Sequence, residues 1–89
     1  MDEKIIEKIA FKLHMRPETV EAVTDAVFEE IMDSVSGGDN VRILNFGSFS
    51  TRTASAKLGR NPKTGEMIEI GEHRKPVFKA AKGFKNRVR

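Results

Sequence analysis

Gly59-Arg60-Asn61-Pro62-Lys63-Thr64-Gly65-Glu66 reads as the tip of a β-hairpin, with cations and a rigid apolar ring where a connecting turn requires neither. Asn first, Pro second and Gly at the end suit a four-residue loop built around a type I turn, with Gly65 in the left-handed conformation. That accounts for Asn61, Pro62 and Gly65. Arg60 and Lys63 are left over, as is the long extended sequence on either side. Lys63-Thr64 superficially fits a phosphate-binding loop, but that loop needs Gly directly before the Lys. Pro62 stands there instead and has no N–H to offer a phosphate.

Outward from the tip, Met67-Ile68-Glu69-Ile70 alternates as a half-buried or ribbon strand does, and Pro76-Val77-Phe78-Lys79 reads as a further short strand. On the other side, the branched and aromatic run Val41-Arg42-Ile43-Leu44-Asn45-Phe46 predicts a strand. Gly47-Ser48 is expected to turn the chain before Phe49-Ser50-Thr51-Arg52. Residues 80–89 close the chain as a helix with Ala81, Phe84 and Val88 inward.

Before Asn40 the period is helical. Ile5, Ile6, Ile9 and Leu13 form one stripe, with Asp2 and Glu3 favourably placed at the helix start, while Phe11 falls off the stripe. Pro17 suits the first position of a second helix and Glu18 its first turn, although Arg16 is a poor N-cap. Val20, Val23, Thr24, Val27, Phe28, Ile31 and Val35 recur at three- and four-residue steps until Gly37-Gly38 stops the helix. These are core positions. The fold class that follows is α+β: two N-terminal helices, a three-stranded antiparallel sheet with a long β-hairpin arm, and a short C-terminal helix.

Charge divides along the same line. Residues 1–40 hold four Lys/Arg against ten Asp/Glu, a net of −6, and residues 41–89 hold twelve against three, a net of +9, within an overall +3. A solvated surface does not require such segregation, whereas a polyanion bound through one face does. A basic ribbon tipped with cations and a rigid ring meets the needs of a minor-groove binder: charge for phosphates and an apolar wedge to part a base step.

At 89 residues the chain is expected to be one domain, with 1–40 as a helical assembly part, 41–51 and 76–79 as the sheet body, 52–75 as the arm and 80–89 as the terminal helix. Setting the arm aside leaves about 65 residues, marginal for an independent core. The apolar positions also exceed what one thin layer covers. A two-chain core is therefore expected, and two-fold symmetry would set two arms on one side, able to clasp a duplex.

The order helix, helix, strand, Phe46-Gly47-Ser48-Phe49, basic arm with GRNPKTGE at its tip, Pro76-Val77-Phe78-Lys79 and basic helix resembles the bacterial histone-like HU and integration host factor family over essentially all 89 residues. The resemblance implies an intertwined dimer whose β-arms enter the minor groove, each with a proline that intercalates and kinks the duplex. By it Pro62 is the wedge, and Arg60 and Asn61 flank it in the groove. Arg52, Lys57, Lys63, Arg74 and Lys75 line the arm, and Lys79, Lys82 and Lys85 match body positions that meet backbone phosphates. Four positions depart from the family pattern. Ala54 and Leu58 stand where cations are usual, Asn45 stands where Gly is usual, and His14 stands near a helix end where Gly is the easier left-handed residue. Fewer arm cations should weaken the electrostatic contribution.

Other classes fare worse. The two histidines, His14 and His73, are far apart and no cysteine is present, so no metal site is expected; no nucleophile motif or nucleotide loop emerges, and neither an enzyme nor a cofactor or small-molecule substrate is expected. Single-strand binders use exposed aromatic platforms, but Tyr and Trp are absent and five of the six Phe fit core positions. No apolar run approaches membrane-spanning length. Met1-Asp2-Glu3-Lys4 lacks the start of a signal peptide, so a cytoplasmic, nucleoid-associated protein is expected. The expected partner is double-stranded DNA, bound by a homodimer and bent largely without sequence specificity. A site-preferring subunit like integration host factor, alone or paired with a second chain, is the runner-up. A scaffold presenting its basic arm to an acidic protein is a third reading.

Overall fold

The computed structural model describes residues 1–89 and contains two compact units, Met1–Ser34 and Val35–Arg89. The first is helical. Helix α1 spans Glu3–Leu13, and Asp2 caps it, its carboxylate accepting from the Lys4 N–H at 2.8 Å. The helix ends on His14, which adopts the left-handed conformation at φ 53° where Gly would be easier, and the Met15 N–H closes the turn on the Ala10 carbonyl at 3.0 Å. Helix α2, Pro17–Ser36, begins at the proline as expected; the Arg16 carbonyl accepts from the N–H groups of Thr19 and Val20.

The core of this unit is small. Ile6, Ala10 and Val20 are buried, with Ile9 packed against them. At about 1.5–3 kcal/mol per large apolar side chain, this is a modest contribution. The expected stripes are only partly covered: Ile5 and Leu13 on α1 are 47% and 60% exposed, and Val23 and Val27 on α2 are 54% and 49% exposed. Phe11, off the stripe, is 84% exposed.

In the second unit, strands β1 (Val41–Ile43), β2 (Gly47–Ala54) and β5 (His73–Ala80) form an antiparallel sheet in the order β1-β2-β5. Strands β3 (Lys57–Arg60) and β4 (Met67–Ile70) form a separate two-stranded ribbon, and helix α3 (Lys82–Val88) follows. The β2–β5 ladder runs without a break past residue 52, where the arm was expected to begin, and on to Ala54 paired with His73. After an interruption at Ser55-Ala56 and Gly71-Glu72, pairing resumes with Lys57 opposite Ile70. Two residues are skipped on each side, so the register is unchanged.

The structure moves one turn. The first strand was expected to reach Phe46 and the chain to turn at Gly47-Ser48. Instead, β1 ends at Ile43, the turn occupies Leu44, Asn45 and Phe46, and Gly47 opens β2 as a buried residue. Asn45 supplies the positive φ of 64°, and the Phe46 N–H donates to the Ile43 carbonyl. Asn tolerates this conformation better than most residues. Gly47 serves a different need: a Cβ there would stand 2.6 Å from the Lys79 carbonyl oxygen and from two Phe78 ring carbons. Glycine lets β2 lie against β5 and the aromatic cluster. Gly47→Ala is expected to cost about 2 kcal/mol or more, seen as a lower urea midpoint, because backbone cannot yield as a flexible side chain does. An unchanged midpoint would show that the sheet edge relaxes freely.

Phe46, Phe49, Phe78 and Phe84 form the cluster behind this sheet, with Phe46 and Phe84 stacked at 5.3 Å and Phe49 and Phe78 tilted at 4.9 Å. The Ala81 N–H donates to the Phe46 carbonyl at 2.9 Å, which ties the start of α3 to the β1–β2 turn. Ala81 and Phe84 are half-buried, as expected. Val88 is not inward: it is 74% exposed at the end of a seven-residue helix.

Candidate nucleic-acid interface

Two groups of cations emerge in the second unit. The first lies on the hairpin. At the tip, the Asn61 N–H donates to the Glu66 carbonyl at 2.8 Å and the Gly65 N–H to the Asn61 carbonyl at 2.7 Å, which leaves Pro62, Lys63, Thr64 and Gly65 as a four-residue loop. Gly65 has φ 73°. The Asn61 side-chain oxygen accepts from the Lys63 N–H at 2.8 Å, so Asn61 also holds the loop closed. Pro62 takes no part in these bonds. It is exposed, as are Arg60 and Lys63 on either side of it.

Down the ribbon the side chains alternate between faces. Arg52 and Lys75 are direct cross-strand partners on one face, and the unchanged register places Leu58, Arg60, Met67 and Glu69 on that face further out. Two like charges directly opposite one another destabilise a ladder unless an anion relieves them. Lys57 and Arg74 fall on the other face, with Ile68 and Ile70; Ile70 lies across Gly59, where a Cβ would meet its Cδ1 at 2.8 Å. Arg74 uses Nη2 to donate to the Ser36 carbonyl at 2.8 Å, satisfying an otherwise open end of α2. It therefore has a structural role that the sequence did not suggest. Ala54 is half-buried opposite His73, and Leu58 is 70% exposed.

The second group lines an open concavity of about 910 Å³ between the β1–β2 turn and α3. Lys79, Lys82 and Lys85 are brought together here, joined by Arg42 and Arg89; no acidic residue lines it. Arg42 and Arg89 were missed by the sequence reading because they lie at opposite ends of the basic half. The available signal was the alternation of β1, which sends Arg42 to the face opposite Val41 and Ile43. None of the twelve cations in residues 41–89 has a carboxylate within 4.0 Å; the ion pair of the molecule joins the Met1 amino group to Asp25 at 3.8 Å. No group of three or more His, Cys, Asp or Glu side chains is placed to hold a metal, and no helix is long and apolar enough to cross a membrane.

The family model described as bacterial DNA-binding protein matches residues 2–89. The chain belongs to that family. Among curated relatives, the DNA-binding protein HU of Nostoc sp. is 40% identical over 85 residues, 96% of this chain and 90% of the relative. DNA-binding protein HU-beta of Serratia marcescens is 39% identical over 85 residues, 96% of this chain and 94% of the relative. Among solved structures, the chain is similar to HU in an Anabaena HU–DNA cocrystal, with a TM-score of 0.90 and 39% identity over 99% of this chain and 97% of that one. HU from Thermotoga maritima, at 24% identity and a TM-score of 0.67 with both chains fully covered, shares the fold. The three helices, the antiparallel sheet and the hairpin arm are thus those of a bacterial HU-type protein.

Proposed function

We propose that this HU-family chain is a histone-like architectural protein that binds duplex DNA in the minor groove as a dimer. It bends the duplex by inserting Pro62 into a base step, and helps compact or organise the nucleoid largely without sequence specificity. The observation that carries this reading is the tip: a loop closed by Asn61 and Gly65 leaves an exposed Pro62 ring between two unpaired cations, Arg60 and Lys63. The opposed Arg52–Lys75 pair and the acid-free concavity around Lys82 and Lys85 supply phosphate contacts along the arm and body. The remaining proposed contacts, Lys57 and Arg74, sit on the other face of the ribbon; Lys57 is free to meet a phosphate there, and Arg74 has for this the guanidinium N–H groups that its bond to Ser36 leaves open.

A mobility-shift comparison of linear, nicked and mismatched duplexes, with random competitor present, tests the reading. Retention of all three, tightest on nicked and mismatched duplex, is expected. Preference for one linear sequence over random competitor would favour a site-preferring subunit, and equal competition by an acidic protein would favour the scaffold.

Assembly has its own support. No side chain in the isolated chain is fully buried, and Val20's neighbours on its stripe, Val23 and Val27, lie about half open. A second chain laid on that stripe completes the core. The thermal midpoint is therefore expected to rise by about 3–4 °C for each tenfold increase in protein concentration, because unfolding and dissociation are coupled. A midpoint independent of concentration, with a monomeric mass, would refute the two-armed arrangement.

A further inference from the structure

His73 stands among the proposed contacts without being one of them. It opens β5 and pairs with Ala54 on β2, and the alternation of the ribbon puts it on the face that carries Arg52, Lys75 and Arg60. Its side chain is exposed, and Ala54 across the ladder offers it no polar partner.

The ring is nevertheless held. Gly71 lies in the break between the two ladders, and its carbonyl oxygen is 2.9 Å from His73 Nδ1. A carbonyl can only accept, so Nδ1 carries the hydrogen and Nε2 is where a second proton adds. Gaining that proton leaves the bond to Gly71 intact. It turns Nε2 from an acceptor into a charged donor on the ribbon face.

The groups around His73 set the direction of the response. Arg52 on β2 and Lys75 on β5 are its neighbours on that face, and both repel a third positive charge. Across the break the face carries Arg60 on β3 and one carboxylate, Glu69 on β4. Arg74, Lys57 and Glu72 alternate to the other side, where Arg74 meets the end of α2, and Glu66 belongs to the tip. No carboxylate lies within 4.0 Å of the ring. A phosphate over this face offsets the repulsion, so a bound duplex favours the protonated ring and the protonated ring favours the duplex.

We propose that His73 is a phosphate-binding residue of the arm that engages when protonated, so that duplex binding takes up a proton and tightens as pH falls. The inference rests on the function proposed above. Its sign follows from the charge: the extra contact is present in acid and is lost as pH rises through the imidazole range, between about pH 5 and 8.

Duplex affinity of the full-length protein, measured over a range of salt at about pH 5.5 and about pH 8, tests this. For each His73 that meets a phosphate, the slope of log affinity against log salt should be steeper by about 0.9 at the lower pH, with affinity at 0.1 M salt higher by about fivefold to tenfold. His73→Gln should show the weaker binding at both pH values and His73→Lys the tighter binding at both. His14→Asn, which removes the other histidine, should respond as the parent does. Calorimetry near neutral pH, in buffers of different ionisation enthalpy, should show a proton uptake by the parent that His73→Gln loses. Both histidines are exposed, so circular dichroism should stay unchanged. The inference fails if the parent's slope is the same at both pH values, or if His73→Gln keeps the parent's pH response. Equal weakening by His73→Gln and His73→Lys at both pH values would also overturn it, reducing the ring to a cap on the Gly71 carbonyl. A duplex left unbound at every pH would instead overturn the function proposed above, and this inference with it.

Discussion

Pro62→Ala is expected to give a folded protein that still binds duplex DNA but leaves it nearly straight. The loop is held by the Asn61 side-chain oxygen on the Lys63 N–H and by the Gly65 N–H on the Asn61 carbonyl, and neither bond involves Pro62. Alanine tolerates the first central position of a type I turn, and losing proline's rigidity costs about 1 kcal/mol or less. The ring, by contrast, is the only apolar group the loop offers to a base step. For minor-groove architectural proteins as a class, parting a step costs roughly a few kcal/mol, which nicked or mismatched DNA has already supplied. The parent should therefore prefer such duplexes by a factor on the order of a hundred, and the variant by a factor near one. Energy transfer between dyes at the ends of a short duplex reads the bend directly. A folded, DNA-bound Pro62→Ala protein that bends as sharply as the parent would reduce Pro62 to a turn former.

Removing the body cations should produce the other large effect. Arg42, Lys82, Lys85 and Arg89 share one concavity without a carboxylate in reach, so replacing all four by Ala breaks no ion pair. Each phosphate neutralised contributes about −0.9 to the slope of log affinity against log salt. If each of the four meets one phosphate, the fourfold variant should show a slope shallower by about 3.6 and an affinity lower by on the order of a thousandfold at 0.1 M salt. The loss should be the same on every sequence, since phosphate contacts carry no base information. An unchanged slope would remove the concavity from the interface and leave binding to the arm.

A feature of this molecule is legible in its sequence when the residues that make it lie close together along the chain. The tip was legible because its determinants are neighbours: Asn61, Pro62 and Gly65 fix the loop through bonds that span at most five residues. The helices were legible by their period, and Pro17 and Gly37-Gly38 as their punctuation. Gly47 was misread because two signals competed. Its freedom suggested a turn, but its small size is what matters, and that is visible only when Phe78 and the Lys79 carbonyl are brought against it. The turn fell instead to Asn45. Arg42 and Arg89 were missed for the same reason: the link between Ala81 and Phe46 that unites their surroundings is not a local feature. Arg74's bond to Ser36 likewise spans 38 residues.

The equal interruption of the ribbon at Ser55-Ala56 and Gly71-Glu72 restricts how the arm can change length. A residue added to one strand alone would make a bulge and put the two edges out of step. One added to each strand would keep the edges in step but turn Arg60 and Met67 to the side now held by Lys57 and Ile70. Only two residues added to each strand preserve both, extending the arm by about 7 Å. That is close to two nucleotides along a DNA strand, at about 3.4 Å each. The reach of the finger is thus quantised, and its smallest faithful increment is a dinucleotide.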